Sequence, residues 1–340
     1  MSSNGFGTVF RLTSFGESHG AAMGGILEGC PPGLHLDLAA VQDELNRRKP
    51  GQSDLTSPRK ERDQVEFLSG ILNDVTLGTP IGFLVRNEDQ HSKDYDALRD
   101  VYRPGHADEA WQLKFGIRDH RGGGRSSARE TVARVVAGAI ARQMLLAHGV
   151  VIRAYVSQIH DASVKGEWNS LDLNLVYRSD VRCPDEASAQ RMRDAILSAK
   201  ANHDSVGGVV TCVCEGLPVG LGEPVFDKLP ALLAHGMMSL PAAKGFEVHE
   251  GFGVAGMYGS ALNPIQHGAV GGISTGHPLV FRVAFKPASS IGRSQKMKQA
   301  DGSRVQQAIE GRHDPCVVPR AVPIVEAMTA LVLADLWLRR

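Results

Sequence analysis

Apolar residues along this chain recur at two spacings, one typical of amphipathic helices and the other of β-strands. Helical spacing predicts a largely buried helix over residues 127–148 and a second helix that begins at Leu38, with Asp37 as its N-cap. Further helices are predicted over residues 106–115, 186–201, 226–238 and 321–338. Strands are predicted over residues 5–15, 24–28, 65–72, 81–86, 150–159, 207–215 and 279–286, and a long polar loop over 87–104.

These elements are interleaved along the chain, and no linker, low-complexity segment or short-period repeat divides it. The strands predicted over 5–15 and 24–28 are joined by a short connection, which suits antiparallel pairing. We therefore expect an α+β fold, in preference to a doubly wound parallel sheet, with residues 1–340 as a single domain.

Composition narrows the class of protein. The chain has 340 residues, 42% of them hydrophobic and 22% charged, which is ordinary for a soluble globular protein. Lys plus Arg and Asp plus Glu each number 37, so no overall field favours nucleic acid or a membrane surface. The first residues do not resemble a signal peptide, and no charge-free apolar stretch is long enough to span a membrane.

Cysteine usage indicates the redox compartment. Five cysteines are scattered along the chain, and two of them, Cys212 and Cys214, alternate within a valine-rich strand pattern. This favours buried thiols over disulfides or metal ligands, so the expectation is a reduced, cytoplasmic protein without a metal site.

The segment from Gly122 to Thr131 is the clearest candidate for ligand binding. Three glycines expose backbone N–H groups, and Ser127 and Glu130 have the spacing of a capping box at a helix start. Arg121, Arg125 and Arg129 surround this positive helix end, so the segment suits a phosphate. The alternative is an ordinary capped helix after a flexible loop.

Two other glycine motifs fail the test of their context. Gly16 to Gly20 matches the G-x-S-x-G elbow of serine hydrolases around Ser18, but residues 21–33 predict no helix after it. Gly251, Gly253 and Gly256 match a dinucleotide-binding fingerprint, but no helix is predicted over residues 257–264.

Histidines and cations in polar turns supply the remaining candidates. His19 and His106 lie among glycines, where each is either a solvated turn residue or a proton donor and acceptor near neutral pH. Arg134 and Arg142 interrupt the apolar 127–148 helix and need a carboxylate partner, from the protein or from a ligand. Several arginines without metal-ligand spacing favour a small, multiply anionic substrate.

With these residues assembled, the chain resembles chorismate synthases. The resemblance is carried by blocks in the family's order along nearly the whole chain, namely residues 13–20 (TSFGESHG), 103–108 (RPGHAD), 123–131 (GGRSSARET), 271–274 (GGIS), 286–290 (KPASS) and 311–316 (GRHDPC).

The resemblance implies conversion of 5-enolpyruvylshikimate 3-phosphate to chorismate and phosphate, the last step of the shikimate pathway. This 1,4-elimination has no net redox change but requires reduced flavin mononucleotide (FMN), which lends electron density as phosphate departs. The resemblance also implies a homotetramer whose fold has helices sandwiched between antiparallel sheets. The chain has no separate nucleotide-binding domain, which favours an external flavin reductase; NADPH would be needed only if the chain reduces its own flavin.

Site roles follow from the same resemblance. His19 and His106 would be proton donors, Asp314 would lie near flavin N5, and Ser18 and Ser127 would relay protons. Substrate would be held by Arg48, Arg134 and His19. Positions that match flavin contacts of the family are Arg125, Ser126, Ser127, Pro241, Ala242, Gly271, Lys286, Pro287, Ala288, Ser289, Ser290 and Arg312.

The chain departs from the family pattern at three places. Asp54 stands where the family often has Arg, and Pro241 stands where it often has the Asn of a Ser-Ile-Asn-Ala segment. Residues 266–270 replace a longer segment before Gly271. These departures affect the expected flavin contacts of residues 241–242 and 266–270 and any nucleotide site that uses residue 54.

Overall fold

The structure is a computed structural model, and it describes residues 3–56, 61–88, 98–309 and 314–340. Its helices are α1 (Leu38–Arg48), α2 (Asp108–Phe115), α3 (Thr131–Leu146), α4 (Glu186–Ala201), α5 (Leu229–Met238), α6 (Gly259–Leu262) and α7 (Val318–Arg339). Short 3-10 helices lie at Gly124–Ser126, Ala128–Glu130, Trp168–Ser170, Leu173–Arg178 and Gly251–Gly256.

The strands are short, and many pair as hairpins. In chain order they are β1 (Gly5–Phe6), β2 (Arg11–Gly16), β3 (Ala22–Glu28), β4 (Val65–Phe67), β5 (Ile71–Leu72), β6 (Val75–Thr76), β7 (Ile81–Arg86), β8 (Val101–Tyr102), β9 (Val151–Ile159), β10 (Ala162–Ser163), β11 (Gly208–Glu215), β12 (Ala243–Val248), β13 (Ala269–Val270), β14 (Ile273–Ser274), β15 (Leu279–Phe285), β16 (Gln295–Gln299) and β17 (Arg304–Gln307).

Two five-stranded antiparallel sheets form the outer layers. The first has the strand order β1-β2-β3-β7-β4, and the second has the order β10-β9-β11-β15-β12. The other paired strands form a three-stranded sheet, β17-β16-β8, and the hairpins β5-β6 and β13-β14. The expected α+β class, with antiparallel sheets, is confirmed.

Helices α3 and α7 lie between the two large sheets. The two helices pack against each other, α3 also contacts β3, and α7 contacts β9 and β11. Both helices are apolar on nearly all sides, and such a helix is stable only when it is buried all round. One hydrophobic core therefore joins both sheets and the helices between them.

The few charged groups in this core are paired. Arg142 lies between Glu44 and Glu326, at 2.7 and 3.2 Å, so the carboxylate partners that the sequence left open come from the protein. On α7, the Asp335 carboxylate accepts the backbone N–H groups of Thr8, Val9 and Phe10 and fixes the chain between β1 and β2. Such pairing is what burial of charge requires.

Most predicted elements occur, but several bounds differ. The predicted strand over 5–15 is two strands, since residues 7–10 form the turn held by Asp335, and the strand over 65–72 is likewise divided into β4 and β5. The helix predicted from residue 226 begins at Leu229. The prediction of no helix over 257–264 was wrong by the single turn α6; nevertheless the preceding strand, β12, is an antiparallel edge strand, so the dinucleotide-binding context is absent.

The five cysteines are all free and buried, as predicted from their sequence context. Burial raises the pKa of the Cys30 and Cys183 thiols to about 11 and that of Cys316 to about 12, so these groups stay protonated at neutral pH. Among the described residues one helix, α7, is long and apolar enough to cross a membrane, but 83% of its apolar window is buried inside the protein.

Candidate active site

The triple-glycine segment brings His19 and His106 together. Gly122 has a φ of +65°, and a Cβ atom at this position would lie 2.1 Å from the His19 Cε1 atom. Gly123 has a φ of +89°, and a Cβ atom there would lie 3.1 Å from the His106 Cε1 atom. Only glycine combines these left-handed conformations with the missing side chain that leaves room for both rings. Gly122 and Gly123, which we call the glycine floor, therefore contact two imidazoles from distant parts of the sequence.

His19 lies in the turn between β2 and β3 and is almost completely buried. Its Nδ1 atom is 3.1 Å from the Ser18 hydroxyl, which is itself 3.4 Å from the Arg121 carbonyl oxygen. Since β3 follows this turn, the strand-turn-helix geometry of a hydrolase elbow is absent and Ser18 is not a hydrolase nucleophile by that criterion. The predicted relay residue Ser18 therefore lies in contact with His19.

His106 lies just before α2 and is partly exposed, with 19% of its side chain accessible. Its Nδ1 atom is 2.9 Å from the Asp108 Oδ1 atom and 3.1 Å from the Arg103 Nη2 atom. Burial lowers the pKa of His106, and the neighbouring Arg103 lowers it further, while Asp108 opposes both effects. Burial alone would raise the pKa of Asp108, but hydrogen bonds from Arg103 and His106 outweigh it and hold that pKa well below its usual range.

The predicted segment 286–290 lies against the turn that carries His106. The Lys286 ammonium donates to the Gly105 carbonyl oxygen and, at 2.6 Å, to the Ser289 hydroxyl. Arg103 lies 3.4 Å from the Ser290 hydroxyl, and the Lys286 amide donates to the Ala242 carbonyl oxygen at 2.9 Å. Residues 242 and 286–290 thus meet beside His106. Lys286 contacts no carboxylate within the described ranges, so its charge remains available to an anion.

The three arginines of the glycine segment differ in their partners. Arg121 pairs with Asp119 at 2.9 Å and Arg129 pairs with Asp63 at 2.8 Å. The Arg125 guanidinium instead donates to neutral oxygens, including the Ser14 hydroxyl at 2.8 Å, while Glu17 is its nearby carboxylate and receives a hydrogen bond from the Arg125 backbone. Arg125 is therefore the cation of the three that is best suited to an anionic ligand.

A cleft of about 550 Å³ opens beside this segment, lined by Glu17, Asp108, Trp111, Arg121, Arg125 and Ser126 among others. Burial in it raises the pKa of Glu17. A larger cleft of about 980 Å³ lies over the second sheet, but it contains none of the predicted site residues. Of these two clefts the smaller is the better candidate, because the predicted residues Arg125 and Ser126 line it.

The expected capping box is only half present. The Ser127 hydroxyl accepts a hydrogen bond from the Arg129 amide at 3.4 Å, which makes Ser127 a cap, but the Glu130 carboxylate pairs with Arg134. Helix α3 is also preceded by two short 3-10 turns. The hydroxyl of Ser127 makes no other hydrogen bond with the residues that the structure describes, so its contact with either histidine is not seen.

The two predicted substrate arginines lie in different surroundings. Arg48, 2% exposed, pairs with Asp63 at 3.0 Å and lies 3.3 Å from the Thr131 hydroxyl. Its Nε–H is buried and has no acceptor among the described residues. Arg134 pairs with Glu130 and donates to the Ser239 hydroxyl at 2.6 Å, at the end of α5.

Sequence reasoning missed Asp63, whose carboxylate joins Arg48 to Arg129. Burial alone would raise the pKa of Asp63, but the two guanidinium groups outweigh it and lower that pKa. Its φ of +52° is rare for a residue with a side chain, which indicates a conformation imposed by its surroundings. In the sequence it stands in a run of charged residues, which carries no signal of burial.

The remaining predicted residues lie on other elements of the fold or outside the described ranges. Asp314 pairs with Arg320, whose Nε–H donates to the Arg48 carbonyl oxygen at 3.1 Å. Gly271 belongs to the β13-β14 hairpin, which contacts the start of α5 through the Gly272 carbonyl oxygen. Asp54, which stands where the family often has Arg, pairs with Arg193 of α4 at 2.6 Å. Arg312, with the rest of residues 310–313, lies outside the described residues.

Comparisons with known proteins agree in one family. The family model for chorismate synthase matches residues 10–338. A chorismate synthase of Parabacteroides distasonis is 53% identical, over 98% of this chain and 97% of its own length. One of Bacteroides thetaiotaomicron is 51% identical, over 98% of each. A crystal structure of chorismate synthase superimposes with a TM-score of 0.77 at 28% identity, covering 98% of this chain and 93% of that one.

Proposed function

The chain belongs to the chorismate synthase family of lyases, and from this premise we propose that it converts 5-enolpyruvylshikimate 3-phosphate to chorismate and phosphate. The proposed reaction is a 1,4-elimination that depends on reduced FMN without net redox change, in the shikimate pathway to the aromatic amino acids. The observation that supports it most is the convergence of His19 and His106 on the glycine floor at Gly122 and Gly123.

The two histidines are proposed as the proton donors of the site. Both are held by neighbours that act on Nδ1, Ser18 for His19 and Asp108 for His106. Positioned imidazoles exchange protons efficiently near neutral pH. Ser18 supports a proton relay through its contact with His19, whereas Ser127 is retained as a candidate relay on the family resemblance alone.

The substrate carries a phosphate and two carboxylates, and Arg48, Arg134 and His19 are proposed to hold it. The unsatisfied Nε–H of Arg48 supports this assignment, since a buried donor without an acceptor gains most from an anionic ligand. Arg134 is 18% exposed and already pairs with Glu130. To hold the substrate it would have to bind the substrate anion and Glu130 at the same time.

Reduced FMN, when bound, would donate electron density to the substrate as its phosphate departs. Residues proposed to hold it are Arg125, Ser126, Ser127, Pro241, Ala242, Gly271, Lys286, Pro287, Ala288, Ser289, Ser290 and Arg312. The cations Lys286 and Arg125, whose side chains donate to neutral oxygens among the described residues, fit an anionic phosphate, and Ala242 lies against Lys286. Asp314 is proposed to lie near flavin N5 and to help the flavin take the substrate proton, and its carboxylate pairs with Arg320.

The wider setting is also a proposal. We propose that residues 1–340 act as one catalytic domain in a cytoplasmic homotetramer, with reduced flavin supplied by an external reductase. NADPH would be a cofactor only if the chain reduced its own flavin.

An anaerobic assay tests the proposed function. With photoreduced FMN and 5-enolpyruvylshikimate 3-phosphate, the protein should form chorismate and phosphate in equal amounts, and with oxidised FMN it should form neither. Adding NADPH to oxidised FMN, with and without a separate reductase, decides the source of electrons. Phosphate release without any flavin would contradict the proposal and favour a phosphate hydrolase.

A further inference from the structure

We propose that Asp108 is a positioning residue, which holds the His106 ring with a proton on Nδ1 and leaves Nε2 as the nitrogen that meets the ligand. The role of His106 as a proton donor rests on the proposed function. The state of the ring, in contrast, is a property of this chain that is measurable without any substrate.

The Asp108 carboxylate is buried and is held in place by several hydrogen bonds. It is the first residue of α2 and is 2% exposed. Its Oδ2 atom accepts the Arg103 Nε–H at 2.7 Å, and its Oδ1 atom lies 2.9 Å from both Arg103 Nη2 and His106 Nδ1. Arg118 lies beyond the same carboxylate, with Nη1 3.6 Å away. Hydrogen bonds to fixed partners leave the carboxylate little freedom to move away from the imidazole.

Two neighbours compete for the Nδ1 atom and specify opposite tautomers. The Arg103 Nη2 atom, 3.1 Å away, only donates, so it would favour an unprotonated Nδ1 and a proton on Nε2. The Asp108 carboxylate only accepts, so it favours a proton on Nδ1. The bond to the carboxylate is charge-assisted on the acceptor side and is the shorter of the two, and Arg103 already donates to Asp108. We therefore expect the Nδ1–H tautomer in the neutral ring.

The charges around the ring make Asp108 necessary for the protonated form as well. The ring faces Arg103, which precedes it in the same turn, and Lys286 at the end of β15, and both cations disfavour an imidazolium. Among the described residues around His106, Asp108 is the carboxylate that offsets these two cations. Arg118 contacts Asp108 and influences the ring only through that carboxylate. Without Asp108 an imidazolium would face two cations and no carboxylate from the described residues. A proton donor at this position therefore depends on this carboxylate.

The test is a measurement of the His106 tautomer in the full-length protein without ligands. The protein is labelled with ¹⁵N-histidine, and ring nitrogen shifts are followed during a pH titration, with the His106 signals assigned by their loss in His106→Gln. In the wild type we expect Nδ1–H in the neutral ring. In Asp108→Asn we expect a shift towards Nε2–H and a lower His106 pKa, since Arg103 then becomes the stronger partner.

Glu109→Gln is the matched control. Glu109 follows Asp108 in the same helical turn, so the change removes an equal charge, but its carboxylate is 37% exposed and pairs with Lys298. The His106 tautomer and pKa should stay as in the wild type. In turnover, Asp108→Asn should lower kcat about 10²–10⁴-fold with a much smaller change in the KM for the substrate, as for other imidazoles deprived of a carboxylate.

Two results would overturn the proposal. One is an Nε2–H neutral ring in the wild type, which decides the question even if Asp108→Asn does not fold. The other is a folded Asp108→Asn variant with an unchanged tautomer and pKa. Absence of chorismate formation by the wild type would instead contradict the proposed function and leave the tautomer result standing.

Discussion

Gly122→Ala is the substitution that tests the glycine floor most sharply. The added methyl carbon would lie 2.1 Å from His19 Cε1 and 2.4 Å from His19 Nδ1, far inside van der Waals contact. The backbone is also left-handed here, with φ at +65°. His19 is 3% exposed and bonded to Ser18, so its ring has little room in which to move.

Two contributions set the loss of free energy of unfolding that we expect in Gly122→Ala. A left-handed conformation costs a residue with a Cβ atom about 1–2 kcal/mol. Overpacking against a buried ring adds about 1–3 kcal/mol. Gly149→Ala separates them, because Gly149 has a φ of +80° but its Cβ position has open space around it. We therefore expect Gly122→Ala to lose about 1–3 kcal/mol more free energy of unfolding than Gly149→Ala, the part due to the ring.

Urea unfolding of the two variants measures this difference, and anaerobic turnover accompanies it. If the His19 ring yields by turning away, the difference in stability will shrink, but turnover should then fall about 10²–10⁴-fold because a proton donor has moved. Gly149→Ala should keep wild-type turnover. The account of the glycine floor is refuted if Gly122→Ala matches Gly149→Ala in stability and the wild type in turnover.

Three further predictions concern the ligands. Arg48→Lys and Arg134→Lys keep the charge but lose the planar guanidinium, so substrate binding measured by calorimetry should weaken by about 1–3 kcal/mol while flavin affinity changes much less. Unchanged substrate affinity in Arg134→Lys would show that Arg134 serves only in helix packing. Oxidised flavin should bind weakly alone and markedly tighter with substrate, with the 87–104 segment gaining protection from hydrogen exchange, and equal flavin affinity in both titrations would contradict such coupling. Asp314→Asn should slow the loss of substrate deuterium in single turnover more than it weakens flavin binding, and the opposite order would exclude a role at the flavin.

The fold was largely predictable where local signals and tertiary packing agree. The helix over 186–201 has the predicted bounds, and its Asp185 cap accepts the Ser188 amide at 2.8 Å. Helix α1 likewise begins after the predicted cap Asp37. In contrast, β16 (Gln295–Gln299) has one apolar residue, Met297, and pairs only because β8 and β17 flank it. A strand of that composition has no pattern to predict it from.

Several residues of the candidate site could be predicted from the sequence, but the contacts between them could not. Polar, glycine-rich surroundings single out His19 and His106 in the sequence, whereas the glycine segment 122–131 predicts only a phosphate site there. The structure gives those glycines a steric role beneath the two rings, which depends on contacts between distant segments. Asp108 and Asp63 could not be recognised for the same reason, since the pairing of a carboxylate is visible only once the chain has folded.

The central claim is that both imidazoles on the glycine floor donate protons in a flavin-dependent elimination. The most direct test is an anaerobic single turnover with reduced FMN, in which chorismate and phosphate are measured for the wild type, His19→Ala and His106→Ala. The account predicts folded variants that each form product about 10²–10⁴-fold more slowly than the wild type. Near-normal chorismate formation by His106→Ala would contradict it.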